Sequence, residues 1–494
     1  AVQASGVLAN QIHNLWELLL AMKKAKWGNT RRLNKKNMKQ RETFQSRLGF
    51  LLLSAGCAIG IGNVWRFPYV VGANGGGIFV LIYLLFLAIM GVPVLSMEFA
   101  VGRASRKSPV KAYQELEKPG SKWHLHGYVA LLGNYVLMMF YTTVAGWMLY
   151  YFYSFATGAF SGLHTEDVQG MFGEMLASPG LNVFWMAVVV IVGILICSLG
   201  LQAGVERITK VMMIGLLSLM LILAVHGVFL EGGMEGLKFY LLPDLEKMKS
   251  VGIGQVIVSA MNQSFFTLSL GIGAMAIFGS YLEKDNTLLG ESVNVAILDT
   301  FVAITAGLII FPACFAFGVN PDSGPSLIFI TLPNVFISMI GGRIWGSLFF
   351  LFMSCAALST VIAVFENIIA CDMELFEIDR KKSARINVVL IILLSLPCAL
   401  GYNVLGGFEP LGAGSSVLDL EDFLVSNILL PLGSLVYLLF TTWDFGWGFD
   451  KYRAEANEGV GLKVPAWIRG YVKYILPIMI MGLFIQGIWV KFFA

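Results

Sequence analysis

The chain has 494 residues, of which 57% are hydrophobic and 13% charged, with a mean hydropathy of +0.75; typical soluble domains carry about 25% charged residues. So much apolar surface excludes an ordinary water-soluble enzyme and a disordered scaffold, and a net charge of +3 is too small for a nucleic-acid surface. What remains is an all-α polytopic membrane protein with the lipid bilayer as its solvent and no nucleic-acid partner.

Residues 1–40 stand apart. Leu8, Ile12, Leu15, Leu19 and Met22 form a weak helical stripe, followed by a basic run from Lys23 to Lys39. A signal peptide carries its charge before the apolar part, so this segment reads as a cytoplasmic tail and 41–494 as the membrane domain. About 20 apolar residues span a hydrocarbon core as a helix. By that measure eleven transmembrane helices are expected near 46–70, 77–101, 125–156, 182–200, 206–230, 253–281, 289–318, 343–372, 384–402, 422–443 and 471–492. With the N-terminus inside, 28 Lys and Arg fall on the cytoplasmic side and five outside. The positive-inside rule then makes the N-terminus cytoplasmic and places the C-terminus outside. The six cysteines form no CxxC pair, and no zinc-type spacing, P-loop or HExxH occurs; the cysteines read as small buried hydrophobes.

Two spans carry helix-breaking runs. The first reads Ala55-Gly-Cys-Ala-Ile-Gly-Ile-Gly-Asn63, and the sixth contains Ser269-Leu-Gly-Ile-Gly273 just after Phe265-Phe-Thr267. Each glycine costs a helix about 1 kcal/mol relative to alanine. Carbonyls freed at membrane depth are tolerable only where they line a cavity or coordinate something. Taken singly, each cluster is explained as well by close packing through small residues. Together, in the first and sixth spans, they suggest inverted five-plus-five repeats (about 46–230 and 253–443, plus an eleventh helix at 471–492), a pattern known from carriers that include the family named next.

The run from Arg47-Leu-Gly-Phe to Gly62-Asn-Val-Trp-Arg-Phe-Pro-Tyr69, with Asn74-Gly-Gly-Gly77, Gly91-Val-Pro93, Glu98, Gly102 and Arg103, strongly resembles the neurotransmitter:sodium symporter family. Phe265 to Gly271 and Ala356-Ala-Leu-Ser-Thr360 extend the likeness over about residues 41–490, on the side of the bacterial amino-acid carriers. The resemblance implies two sodium ions and a neutral amino-acid substrate in the bacterial inner membrane, the plasma membrane of such a cell.

One sodium shell implied by the family comprises the main-chain oxygen of Ala58, the side chains of Asn63 and Asp299, Thr267, and the substrate carboxylate. The other comprises main-chain oxygens of Gly56, Ile59 and Ala356 with the hydroxyls of Ser359 and Thr360. Hard cations favour such oxygen ligands. Taken alone, Ser359-Thr360 would be read as bonding back to its own helix. Asp299 departs from the asparagine of leucine-carrying members, and an intramembrane Asp costs at least about 2.5 kcal/mol. The family's chloride positions correspond to Tyr83, Gln263, Thr267 and Ala303. Ala303 lacks the hydroxyl of chloride-dependent members, so no chloride requirement is expected.

Monoamine carriers of the family have an aspartate where this chain has Gly60. A free substrate carboxylate would then meet sodium, the amides of Ile61 and Gly62 at the break, and the Tyr141 hydroxyl. The substrate side chain would face Leu137, Phe266, Ile272, Val361 and Val364, with Cys57, Ala58, Thr267, Ser269 and Thr360 nearby. None is charged, so a neutral, hydrophobic amino acid is expected. Arg66 and Asp422 match the outer gate pair, with Phe266 and Tyr141 as the lid. Arg41 and Glu374 match the inner pair, Glu374 replacing the commoner aspartate; Arg41 alone would read as a positive-inside anchor. Glu98 should brace the broken sixth helix, with Tyr437 as its neighbour. Phe44 stands where an inner-gate tryptophan is usual, and Ile214 where many members have proline. Another small zwitterion as cargo, or a sensor that binds without transport, would use the same pocket. The chain gives no sign of oligomeric state.

Overall fold

The computed structural model describes residues 42–318 and 327–492. Among them the elements are helices and turns, with one isolated bridge between Asn286 and Val460. In chain order, the helices that matter here are α1 (Arg47–Ala58), α2 (Gly62–Ala73), α3 (Gly77–Ser105), α4 (Pro109–Leu116), α5 (Leu125–Thr157), α6 (Pro179–Ser198) and α7 (Leu201–Val228). The second half adds α8 (Ile253–Phe266), α9 (Ala274–Tyr281), α10 (Leu288–Ala316), α11 (Gly342–Phe376), α12 (Arg380–Ala399), α13 (Val417–Thr442) and α14 (Ala466–Phe492).

Nine helices among the described residues are long and apolar enough to cross a membrane, and α1 with α2, bent by 65°, make a tenth. The expected eleventh depends on α8 and α9. They have 14 and 8 residues and are separated by the non-helical run 267–273, so neither half crosses alone. Arg41 and the tail 1–40 lie outside the described residues.

Local chemistry explains where the helices begin. Ser46 accepts from Gly49 N–H at 3.0 Å and caps α1; Ser178 caps α6 ahead of Pro179; Ser416 and Asp419 form a reciprocal capping box on α13. Glycines let the broken sixth span sit deep in the bundle. A Cβ on Gly102 would lie 1.9 Å from the Ala276 carbonyl oxygen, one on Gly279 would lie 2.4 Å from that of Phe99, and one on Gly433 would lie 2.1 Å from that of Gly271. The backbones of α3 and α9, and of α13 and the run 267–273, therefore touch with no side chain between them. Helix α11 runs along α5, and α10 packs on α1 and α3. The two breaks face one another within this frame.

Candidate functional site

Helix α1 stops at Ala58, where Ile59 turns to an extended conformation, and winding resumes only after Gly60. The carbonyls freed there meet two hydroxyls of α11. Ser359 Oγ lies 3.0 Å from Gly56 O, 3.5 Å from Ile59 O and 2.8 Å from Ala356 O, within donating distance of each. Thr360 Oγ1 lies 3.2 Å from Gly56 O, 3.4 Å from Cys57 O and 3.4 Å from Ile59 O. Residues 359 and 360 thus do more than bond to their own helix. All five oxygens of the second expected sodium shell lie together, and their chemistry suits a hard monovalent cation.

On the other side of the break, Asn63 Nδ2 donates to Asp299 Oδ1 at 2.7 Å and to Thr267 Oγ1 at 3.2 Å, while Thr267 Oγ1 donates to Asp299 Oδ2 at 2.8 Å. Both Asn63 and Asp299 are 0% exposed. A carboxylate at that depth is held by the two neutral donors expected beside it. Ala58, the last residue of α1, is buried. Among the described residues, no three His, Cys, Asp or Glu side chains converge. The oxygens gathered around the first break are carbonyls, hydroxyls and the Asp299 carboxyl.

Gly60 does not face open space. The Tyr141 hydroxyl accepts from Ile61 N–H at 3.0 Å, and a Cβ on Gly60 would lie 2.4 Å from that hydroxyl and 2.8 Å from Thr360 Oγ1. The room expected at Gly60 is taken by the tyrosine, because the break frees an amide that needs an acceptor. The sixth break is held differently. Glu98 accepts from Gly271 N–H at 3.0 Å and Met275 N–H at 3.1 Å. Ser269, Gly271 and Gly273 all have positive φ. Tyr437 packs against Gly273, two residues past the Gly271 amide that Glu98 holds, and is the expected neighbour of that carboxyl without a hydrogen bond to it.

Leu137, Ile272 and Val364 are buried, and Cys57 is 0% exposed. Val361 departs from expectation: its Cγ1 lies 3.1 Å from a Cβ built on Gly193, so it faces α6. It follows Thr360 by one residue and so points about 100° away around the helix, whereas Val364, four residues on, shares Thr360's face. Phe266 is half-buried and packs on Gly62, where a Cβ would lie 2.7 Å from its ring. The Arg66 guanidinium sits 4.0 Å above the same ring.

Arg66 and Asp422, the expected outer pair, lie within electrostatic reach of one another without touching. Among the described residues Arg66 makes no ion pair with Asp422, which accepts instead from Ser426 Oγ at 2.7 Å. The aromatic face holds the guanidinium instead. At the inner end, Glu374 accepts from Ser108 N–H at 3.0 Å and Ser108 Oγ at 2.7 Å and so caps α4. Arg41 lies outside the described residues. Phe44 makes edge contacts with Phe50 at 5.5 Å and Tyr281 at 5.8 Å. Helix α7 continues through Ile214 without a kink, as expected without proline.

One cluster was missed in the sequence. Glu366, 0% exposed, pairs with Arg380 at 2.5 Å and accepts from Tyr281 Oη at 2.8 Å, while Arg380 also reaches Glu42 at 3.7 Å. A carboxylate six residues past Thr360 within a span carries the same signal that singled out Asp299.

The sequence model of the sodium:neurotransmitter symporter family matches residues 41–168 and 159–492. A sodium-dependent transporter of Bacillus subtilis, itself uncharacterised, is 36% identical over 91% of this chain and 98% of its own length. Another uncharacterised one, from Methanocaldococcus jannaschii, is 31% identical over 89% of each chain. The crystal structure of MhsT in complex with L-phenylalanine superposes with a TM-score of 0.81 at 38% identity, covering 91% of this chain and all of that one.

Proposed function

The chain belongs to the sodium:neurotransmitter symporter family and is a multi-pass, sodium-dependent transporter; on that premise we propose that it imports a neutral α-amino acid with an apolar side chain by alternating access. The observation that carries this reading is the Tyr141 hydroxyl at the freed Ile61 amide, beside Gly60 and next to the Asn63–Thr267–Asp299 group. An N–H, a hydroxyl and an adjacent cation shell suit an α-carboxylate. A side-chain acid at 60, which would suit an amine instead, is absent from the sequence. Leu137, Ile272 and Val364 offer no charge, and an ionic substrate side chain buried among them would cost several kcal/mol. The phenylalanine bound to MhsT supports the same class of cargo.

Two sodium ions travel with the substrate, one at Ala58, Asn63, Thr267 and Asp299, the other at Gly56, Ile59, Ala356, Ser359 and Thr360. Each charge crossing 100 mV supplies about 2.3 kcal/mol, and a tenfold zwitterion gradient opposes with about 1.4 kcal/mol. Two ions therefore sustain roughly three decades of accumulation before any sodium gradient is counted. Coupling requires that sodium bind one state of the carrier better than the other. Transport proceeds without chloride. The Tyr83 hydroxyl and Gln263 amide are buried at two of the positions that correspond to the family's chloride site. Ala303 contributes no hydroxyl, however, and the fixed carboxylate of Asp299 supplies the negative charge. The N-terminus faces the cytoplasm and the membrane is a bacterial inner membrane.

The test is uptake of labelled neutral amino acids into proteoliposomes under inward sodium or potassium gradients, with chloride or gluconate. Sodium-specific accumulation that persists in gluconate is expected. Sodium-dependent binding without accumulation would make the chain a sensor, and no response from any amino acid would remove the substrate reading.

A further inference from the structure

The break between α8 and α9 has a second anchor that the transport reading does not use. Asn134 on α5 is 0% exposed, and its Nδ2 donates at 2.7 Å to Ile272 O in the break and at 2.7 Å to Ala130 O on its own helix. Its Oδ1 accepts from Asn367 Nδ2 on α11 at 3.1 Å, and Asn367 Oδ1 in turn accepts from Cys371 Sγ at 3.6 Å. Both amide protons and the amide oxygen are committed, so the side chain has one orientation. Next to it, a Cβ on Gly133 would lie 3.0 Å from Ile272 Cγ2. Gly133 thus lets the Ile272 side chain lie close against α5, while Asn134 grips its carbonyl. Gly133, Leu137 and Tyr141 are spaced four apart and share one face of α5. The residues that seat Ile272 therefore continue the stripe that lines the pocket.

We propose that Asn134 is a positioning residue that fixes Ile272 against α5 and thereby sets how large a substrate side chain the pocket accepts. This rests on the amino-acid reading above. Ile272 lies between two carbonyl-bearing turns with positive φ at Gly271 and Gly273, so its own backbone offers little resistance to movement. The grip of Asn134 supplies that resistance. In Asn134→Ala, Ile272 is free to recede, and large side chains gain relative to small ones. In Gly133→Ala, the added methyl crowds Ile272 off α5, and the shift has the same sign. Asn134→Asp keeps the acceptor for Asn367 but loses the donor to Ile272 O, and it should follow Asn134→Ala.

The experiment measures sodium-driven kcat/KM over a panel of neutral amino acids graded by side-chain size. It is paired with hydrogen–deuterium exchange over 267–273 in the full-length protein. Asn134→Ala should shift the large-to-small ratio of kcat/KM by about tenfold, mostly through KM, since one methylene is worth about that much in an apolar pocket. Exchange over 267–273 should quicken about fivefold, as expected for one lost hydrogen bond, with 59–62 unchanged. Asn367→Ala, which frees the Asn134 amide without removing it, should give a smaller change in the same direction. An equal loss for every panel member, or an unaltered ratio, overturns the proposal. If the wild-type protein accumulates no panel member, the amino-acid reading fails and the selectivity role falls with it. Quickened exchange in Asn134→Ala would then still establish the anchor, and unchanged exchange would remove that too.

Discussion

The two breaks answer the same physical need in opposite ways. At the first, carbonyls of Gly56, Cys57 and Ile59 are met by the hydroxyls of Ser359 and Thr360, and the Ile61 amide by Tyr141. All three partners are neutral hydroxyls that rotate and exchange donor for acceptor. At the sixth, the amides of Gly271 and Met275 are held by the carboxylate of Glu98 and the Ile272 carbonyl by Asn134, with the backbone of α13 in direct contact. Charge-assisted bonds are about twice as strong as neutral ones, and neither partner can reverse its role. The first break is satisfied by groups that a cation and a carboxylate can replace, and the sixth by groups that nothing small replaces. On the proposed transport reading, a ligand-responsive break would work against a fixed one.

The sharpest way to break that comparison is to unpin the fixed side. Glu98→Ala leaves two buried N–H groups without acceptors and should destabilise the protein by about 3 kcal/mol or more, read as a lower unfolding temperature in detergent; a change below about 0.5 kcal/mol would mean the sixth break is not held by Glu98. Next in size is Asp299→Ala. It should weaken sodium-stimulated substrate binding at least about a hundredfold, or 2.7 kcal/mol, by removing the carboxyl that Asn63 and Thr267 hold beside the first break. Unchanged binding would remove the first proposed sodium shell.

Ser359→Ala should raise the sodium concentration for half-activation about tenfold, equivalent to about 1.4 kcal/mol, with little effect on unfolding. A large loss of stability with intact sodium activation would show that the hydroxyls hold the first break structurally. The smallest effect belongs to Phe266→Leu. It removes the ring under Arg66 and should cost about 0.5–1 kcal/mol of substrate affinity, seen as faster dissociation. An effect as large as that of Asp299→Ala would mean the ring itself is part of the substrate pocket's floor rather than a lid.

The sequence carried most of the architecture. Ten of the expected spans appear with ends displaced by five residues or fewer, because a bilayer imposes length and polarity on each segment independently of its neighbours. Both breaks were legible as glycine clusters, and Asp299 and Glu98 as carboxylates too costly to sit in a span without a task. Glu366 carries the same signal with no motif around it.

Other features had no sequence signature. Asn134 is one asparagine in a long apolar helix, and nothing along the chain says that Ile272 O, 138 residues away, is its partner. Helix periodicity puts Val361 and Val364 on different faces of α11, but only the packing of α6 shows that the Val361 face is turned away from the first break. Arg66 and Asp422 suggest an ion pair by charge alone, yet the guanidinium rests on Phe266, a contact fixed by how α2 leans over the end of α8. By itself, then, the sequence determined which segments lie in the membrane, where they break and which oxygens stand near the breaks. Those properties follow from local composition and from the cost of leaving backbone unpaired in lipid. Only the tertiary structure decided which partner answers each freed group, because at membrane depth every donor is matched by whichever acceptor the helix crossings bring within about 3 Å.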